Sequence, residues 1–144
     1  MIDAAYTLTL DLPGLNKVVE KYISTAIEEA AEIIKSSAAQ NVSDSSGELK
    51  KSLKVSSKDM KSTVSTDLKY AASVEYGSGP HTAPLSQLQA WALKKFGDAN
   101  IGGAIWQSIR ENGTKPHPFM RPALDENRDE VKAKIAKVLR RKLR

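Results

Sequence analysis

The sequence predicts an α+β fold in which a small antiparallel sheet packs against a long N-terminal helix and a C-terminal helix. Apolar residues recur at helical spacing from Leu15 to about Gln40. Two alternating segments flank a polar turn at residues 58–61, which is typical of a β-hairpin. A last helix from Pro122 has its acids early and its bases late. With 144 residues, the chain is long enough for one domain, 1–144, with its own core.

The N-terminal part predicts a strand followed by the long helix. Residues 6–10 alternate and contain threonine, which favours a strand. Asp11 is predicted to cap the helix, and proline is tolerated in a first turn, as at Pro13. The helix has an apolar stripe rich in alanine, which permits close packing of a neighbour. The stripe consists of Leu15, Val18, Val19, Tyr22, Ile23, Ala26, Ile27, Ala30, Ile33 and Ile34.

The middle of the chain predicts a hairpin between short helices. Residues 43–47 form a polar break. Residues 48–53 form either a short turn of helix or the direct lead into a strand. Residues 53–57 and 63–66 are predicted to pair as the hairpin. Residues 70–77 have the spacing of a short helix that Gly77 ends.

A helical insertion is predicted around residues 80–112. Thr82 is expected to cap a helix from about Pro84 to Phe96, and residues 97–103 are expected to break it. A second short helix covers residues 104–111. The prolines in residues 115–119 favour an extended segment before the last helix.

The amino-acid composition limits which metal sites, disulfides and membrane segments the chain can have. The chain has no cysteine and two histidines, so disulfides and thiolate metal sites are excluded and no metal or cofactor is expected. No apolar run is long enough to span a bilayer, and the N-terminus lacks the order of a signal peptide. These features predict a protein that is made and used in a cytosol, without a membrane partner.

Positive charge is concentrated at one end. Residues 128–144 carry eight Lys or Arg and two acids, a net charge of +6, whereas the preceding 127 residues have a net charge of −1. Two interpretations stay open. The basic end is a solvated helix terminus that complements the helix dipole, or it contacts DNA or an acidic partner. The residues of such a contact would be Lys137, Arg140, Arg141, Lys142 and Arg144.

Known catalytic motifs are missing. Gly113-Thr114-Lys115 lacks the upstream glycine of a phosphate-binding loop, and no Gly-x-Ser-x-Gly elbow is present. His81 and His117 each lie in a loop that contains proline, without a carboxylate at helical spacing. The sequence therefore predicts no enzyme, although loss of an activity on mutating either histidine would contradict this.

Three segments in order resemble a family of phage proteins. Residues 46–53, Ser-Gly-Glu-Leu-Lys-Lys-Ser-Leu, are similar to a Thr-Gly-x-Leu-x-x-Ser-Ile stretch. Residues 70–77, Tyr-Ala-Ala-Ser-Val-Glu-Tyr-Gly, are similar to Tyr-Ala-x-x-Val-Glu-x-Gly. Residues 113–124, from Gly113 to Leu124, are similar to Gly-Thr-x-x-x-Pro-Phe-Leu-x-Pro-Ala. Together they resemble the phage tail-completion, or head–tail joining, family over roughly residues 15–140.

The match departs from the family pattern in two places. Ser46 replaces the usual threonine without a preceding proline, and residues 6–10 have no counterpart. Trp91 and Trp106 lie in the region of the predicted insertion. The motif residues carried over are Gly47, Leu49, Tyr70, Ala71, Val74, Glu75, Gly77, Gly113, Thr114, Pro118, Phe119, Pro122 and Ala123.

The resemblance implies a non-enzymatic structural subunit of the virion. Such subunits form a homo-oligomeric ring, commonly a hexamer, at the head-proximal end of the tail. The implied partners are the tail tube or tail terminator protein and the head connector or stopper protein, with DNA in the channel. The alternative from another class is a small basic DNA-binding protein that uses the C-terminal helix. In both cases we expect the glycines and prolines to hold the fold and Phe119 to anchor the extended segment.

Overall fold

The computed structural model describes residues 4–10, 14, 16–43 and 47–144. Within these ranges the chain is α+β, as predicted. It divides into one compact unit of residues 1–71 and 118–144 and a second of residues 72–117. In chain order the elements are β1 Tyr6–Thr9, α1 Lys17–Asn41, α2 Glu48–Ser52, β2 Lys54–Lys58, β3 Lys61–Ser65, α3 Ala71–Tyr76, α4 Leu85–Phe96, α5 Asn100–Asn112, α6 Met120–Glu126 and α7 Arg128–Lys142.

Helix α1 is the central element of the first unit. Its N-terminus is capped by Asn16, whose Oδ1 accepts hydrogen bonds from the backbone N–H groups of Val18 at 3.1 Å and Val19 at 3.0 Å. One face of the helix is buried and consists of alanine and isoleucine, so that α6, α7 and the sheet can approach closely. The buried residues are Ile23, Ala26, Ile27, Ala30, Ala31, Ile34 and Ala38.

The sheet of the first unit has three antiparallel strands in the order β1-β3-β2. Tyr6 and Val55 both lie opposite Val64 of the central strand. Val64 is buried and marks the face that packs on α1. The predicted hairpin is confirmed, and its turn residues Asp59 and Met60 both have positive φ, 50° and 58°. Residues 48–52 form a helix, which decides between the two alternatives for this segment.

The predicted last helix is in fact two helices that meet at Asn127. The Asn127 side chain donates one hydrogen bond to the carbonyl oxygen of Ala123 at 2.7 Å and another to Ser37 Oγ at 2.9 Å. An amide that bonds to the backbone competes with the helical ladder, and the bond to Ser37 fixes the break against α1. Pro122 does lie in the first turn, here of α6, as predicted.

Helices α4 and α5 pack against each other in the second unit. The contact is close at Gly102, where an added Cβ would lie 2.6 Å from Leu88 O and from the backbone of Gln89. Ala92 is also fully buried. Trp106 Nε1 donates to the carbonyl oxygen of Ala83 at 2.8 Å and so ties α5 to the segment that precedes α4. The second unit thus contains the two helices of the region predicted to be an insertion. That this region is an insertion stays a prediction.

Several predicted boundaries were wrong. Thr82 does not cap α4, because the helix begins at Leu85 after Pro84 and has no side-chain cap. Residues 97–103 were expected to break the helix, but α5 begins at Asn100 and includes Gly102. Glycine has a low intrinsic helix propensity, but a residue as small as Gly102 is needed for the contact with α4. The packing of α5 on α4 therefore outweighs the low propensity.

Other predictions concern residues that are not described. Asp11, Pro13 and Leu15 lie outside the described residues, as does most of the polar break at residues 43–47. The cap that the structure does show for α1 is Asn16, so the helix begins at Lys17.

Candidate assembly surfaces

Two of the motifs meet at a junction in the second unit. Ser78 and Thr114 pair through both backbone groups, at 3.0 and 2.9 Å, and their hydroxyls lie 2.6 Å apart. The flanking Gly77 and Gly113 have positive φ of 73° and 74°. An added Cβ at Gly113 would lie 2.0 Å from Ser78 O, and one at Gly77 would lie 2.6 Å from Thr114 O. Glycine is therefore required at both positions, as expected from the sequence.

Four motif residues of the first unit lie in its core. Leu49, Ala71, Phe119 and Ala123 are buried, and Gly47 precedes α2 with a φ of 70°. Asn41 Nδ2 donates to the carbonyl oxygen of Phe119 at 3.2 Å, so α1 holds the backbone at this anchor. The burial of Phe119 agrees with its expected position in the core.

The remaining motif residues differ in exposure. Glu75 is buried with 2% of its surface exposed, whereas Tyr70 is 40% exposed. Val74 and Pro122 are half-buried, and Pro118 is exposed. The motif residues thus set turns and core contacts more than they form one surface. Their assembly role stays a prediction.

The two histidines lie in the second unit. His81 Nδ1 lies 2.9 Å from Gly79 O and 3.4 Å from Ser78 Oγ, and both neighbours belong to the glycine junction. The backbone N–H of His117 donates to Val74 O at 2.7 Å. In the described part of the chain, no group of three or more His, Asp or Glu side chains could hold a metal ion.

Of the five predicted contact residues at the basic C-terminal end, one forms an ion pair with a described residue and four do not. Arg141 donates to Glu29 Oε1 at 3.1 Å, and Lys134 lies 3.2 Å from Glu29 Oε2. The hydrogen bond from Lys134 and the charges of Lys134 and Arg141 hold the pKa of Glu29 below its usual value. Arg141 therefore serves the packing of α7 on α1. The other four predicted contact residues are exposed and form no ion pair with a described residue: Lys137, Arg140, Lys142 and Arg144.

A second charge cluster joins α6 and α7. Asp125 accepts from Arg128 at 3.0 Å and from Arg121 at 3.2 Å. These hydrogen bonds lower the pKa of Asp125. The pKa of Arg121 is raised, first by Asp125. All three side chains are solvent-exposed, so the cluster orients the helix junction rather than forming a buried site.

An exposed apolar surface on α4 was not predicted from the sequence. Leu93 is 56% and Phe96 is 52% exposed. Phe96 packs edge-on against Trp91 with ring centroids 5.5 Å apart, and Lys95 Nζ lies 4.9 Å from the centre of the Trp91 ring. The sequence pattern placed these apolar residues on one helix and could not show which of them α5 leaves uncovered.

Exposed apolar residues such as Leu93 and Phe96 can mark a surface that binds another protein. Residues 10–77 match the sequence profile of a family described as "Bacteriophage HK97-gp10, putative tail-component". The predicted resemblance is therefore confirmed over these residues, and the comparison indicates a component of a bacteriophage tail. The match contains the first two motifs, whereas the third lies beyond it.

Comparison with curated proteins and with solved structures yielded no significant match. No helix in the described ranges is long and apolar enough to cross a membrane.

Proposed function

We propose that this chain is a non-enzymatic structural subunit of a tailed bacteriophage, a tail-completion protein that forms a ring where the tail meets the head. The observation that carries the proposal is the match of residues 10–77 to a phage tail component. The third motif and the basic C-terminal helix follow in the order that the tail-completion resemblance implies.

The surfaces of the chain are compatible with a ring. A closed ring is built from heterologous contacts, in which two different surfaces of each subunit meet. The first unit exposes the cationic end of α7, and the second exposes the apolar residues of α4. The ring, commonly a hexamer, would contact the tail tube or tail terminator protein on one side and the head connector or stopper protein on the other.

The proposed location is the neck of the virion, with assembly in the host cytoplasm. The test is to measure the mass of the purified chain by size-exclusion chromatography with light scattering, alone and with assembled tail tubes. Mass spectrometry and particle imaging of purified virions would give its presence and copy number. We expect a ring at the head-proximal end of the tail. A strict monomer that is missing from purified virions would refute the proposal.

A second candidate function is DNA binding through the C-terminal helix. Four exposed cationic side chains favour it, because they form no ion pair with a described residue, whereas Arg141 is paired with Glu29. The test variant changes four residues to glutamine: Lys137, Arg140, Lys142 and Arg144. In this variant, the slope of the logarithm of the duplex-binding constant against the logarithm of the salt concentration should be smaller in magnitude by about 3.6. Duplex binding at low salt that is unchanged in this variant would exclude α7 as the contact.

A further inference from the structure

We propose that the outer face of the three-stranded sheet binds the phosphate backbone of double-stranded DNA. This surface lies on the first unit and is separate from the basic end of α7. It adds a DNA contact to the proposed function. Because binding can be measured on the isolated chain, the proposal can fail or succeed independently of ring formation.

The strand register defines the outer face. Side chains alternate between the faces of a sheet, and buried Ser62 and Val64 mark the face toward α1. The side chains of the opposite face are therefore all lysine, serine or threonine, and each of the three strands contributes some of them. Its residues are Thr7 and Thr9 of β1, Lys61, Thr63 and Ser65 of β3, and Lys54, Ser56 and Lys58 of β2.

The cationic charge of this face is only partly neutralised. Lys54 forms an ion pair with Asp67. Lys58 and Lys61 lie directly opposite each other in the register and form no ion pair with any described residue. Like charges in directly opposite positions destabilise a sheet, and a bound anion would remove that repulsion.

Protection of a sheet edge does not explain the arrangement. Lysines on an edge strand hinder pairing with another chain, which could account for Lys54 and Lys58 on β2. Lys61, however, lies on β3, the central strand, both of whose edges are already paired. A lysine on the outer face there guards no edge.

The composition of the face favours phosphate over protein as the partner. Lysine and serine are depleted from protein–protein interfaces, where aromatic residues and arginine supply most of the affinity. Phosphate oxygens, in contrast, are contacted by lysine ammonium groups and by serine and threonine hydroxyls. The strand positions of this face include no aromatic side chain and no carboxylate. Thr7 and Thr63 already place their hydroxyls together, 2.8 Å apart.

The spacing of the lysines on the outer face suits a contact with the phosphate backbone of DNA. Alternate residues on one face of a strand are about 7 Å apart, so Lys54 and Lys58 span about 13 Å of the surface. Contacts of this kind carry no base sequence information. We therefore expect weak binding that is independent of sequence and sensitive to salt.

The experiment combines amine footprinting with affinity measurements on the full chain. A duplex of about twenty base pairs at low salt should protect Lys58 and Lys61 from an amine-labelling reagent, read by mass spectrometry. Fluorescence anisotropy of the labelled duplex should show that changing both residues to glutamine reduces the salt slope by about 1.8. The matched control changes Lys94 and Lys115 to glutamine, two exposed lysines of the second unit that form no ion pair with a described residue, and should leave the slope unchanged.

Four results would overturn the proposal. The first is a wild-type chain that does not bind the duplex at low salt. The second is a salt slope that falls equally in the Lys94 and Lys115 control, which would show that the effect comes from net charge alone. The third is equal protection of Lys58 and Lys61 by polyglutamate of matched charge, which would identify an acidic protein as the partner. The fourth is a folded Lys58 and Lys61 double variant that self-associates but binds DNA as the wild type does, which would assign the lysines to solubility.

Discussion

At the scale of single residues, Gly113 is the position where the backbone leaves least freedom. Its φ of 74° and ψ of −159° lie in a region that is essentially restricted to glycine. The nearest atom to an added Cβ is a backbone oxygen, Ser78 O at 2.0 Å, which cannot move without opening the junction with Thr114. We expect Gly113→Ala to lower the free energy of unfolding by about 2–4 kcal/mol.

Gly97→Ala is the matched control for this substitution. Gly97 has nearly the same φ, 76°, but nothing lies within 4 Å of an added Cβ. It should cost only the strain of a left-handed residue, about 1 kcal/mol. Urea unfolding followed by tryptophan fluorescence measures both, because Trp91 and Trp106 both lie in the second unit. Equal losses in the two variants would show that the clash at Ser78 is relieved.

Sequence patterns predicted the roles of residues that act through their own backbone conformation or size. They did not predict the roles of polar residues, because each of these has several possible partners in the sequence. Gly77 and Gly113 were expected at turns, and Phe119 was expected in the core. Asn127 was not identified, because its effect depends on Ser37, which is distant in sequence. Arg141 was grouped with four other cationic residues as a possible contact, whereas the packing of α7 on α1 brings it to Glu29.

At the scale of elements, the contact between α4 and α5 depends on Gly102, because glycine has no Cβ. An added Cβ would approach the α4 backbone at Leu88 and Gln89 to 2.6 Å, and neither backbone can yield locally. We expect Gly102→Ala to destabilise the second unit by about 1–3 kcal/mol, because the helices must separate.

The neighbouring Gly103 provides the control in the same turn of α5. Nothing lies within 4 Å of an added Cβ at Gly103. Gly103→Ala should therefore stabilise the unit by about 0.5–1 kcal/mol through helix propensity alone. The urea midpoint from tryptophan fluorescence should shift in opposite directions for the two variants. A stabilising Gly102→Ala would contradict the close approach.

The hairpin between β2 and β3 contains an unfavourable turn residue. A two-residue turn with positive φ at both positions favours Asn-Gly or Asp-Gly, and Met60 occupies the second position with a φ of 58°. Met60→Gly should raise the stability of the first unit by up to about 1 kcal/mol. Met60→Ala, which keeps the Cβ but removes the rest of the side chain, should not. Urea unfolding followed by far-UV circular dichroism compares them, and equal effects would contradict turn strain as the cause.

Element type was predictable where periodicity extended over several turns, whereas element ends were not. The alanine stripe identified α1 and alternation identified the hairpin, since both patterns are local. The start of α5 and the break between α6 and α7 depend on contacts with α4 and α1. Local glycine and apolar patterns could not anticipate them. The cationic pair on the sheet likewise became visible only when the register placed Lys58 opposite Lys61.

At the scale of the whole molecule, Glu29 links residues far apart in sequence, because its carboxylate joins α1 to Lys134 and Arg141 of α7. The folded state lowers the pKa of Glu29 below its usual value of 4.5. A lowered pKa means that the stabilisation is present above the pKa of the unfolded chain and is lost as the pH falls through the pKa of the folded state. The contribution should be about 0.5–1 kcal/mol, since the pair is partly exposed.

The prediction is that Glu29→Gln lowers the free energy of unfolding at pH 7 and that the difference from wild type shrinks as the pH falls below 4.5, towards the lowered pKa of the folded state. Glu28→Gln is the control, because Glu28 is exposed on the same helix and forms no ion pair with a described residue. Urea unfolding of the first unit by circular dichroism from pH 7 to pH 3 measures all three chains. High salt should reduce the Glu29 effect as it screens the exposed charges. If the Glu29→Gln difference persisted at pH 3, the loss would come from packing between α1 and α7 rather than from the carboxylate charge.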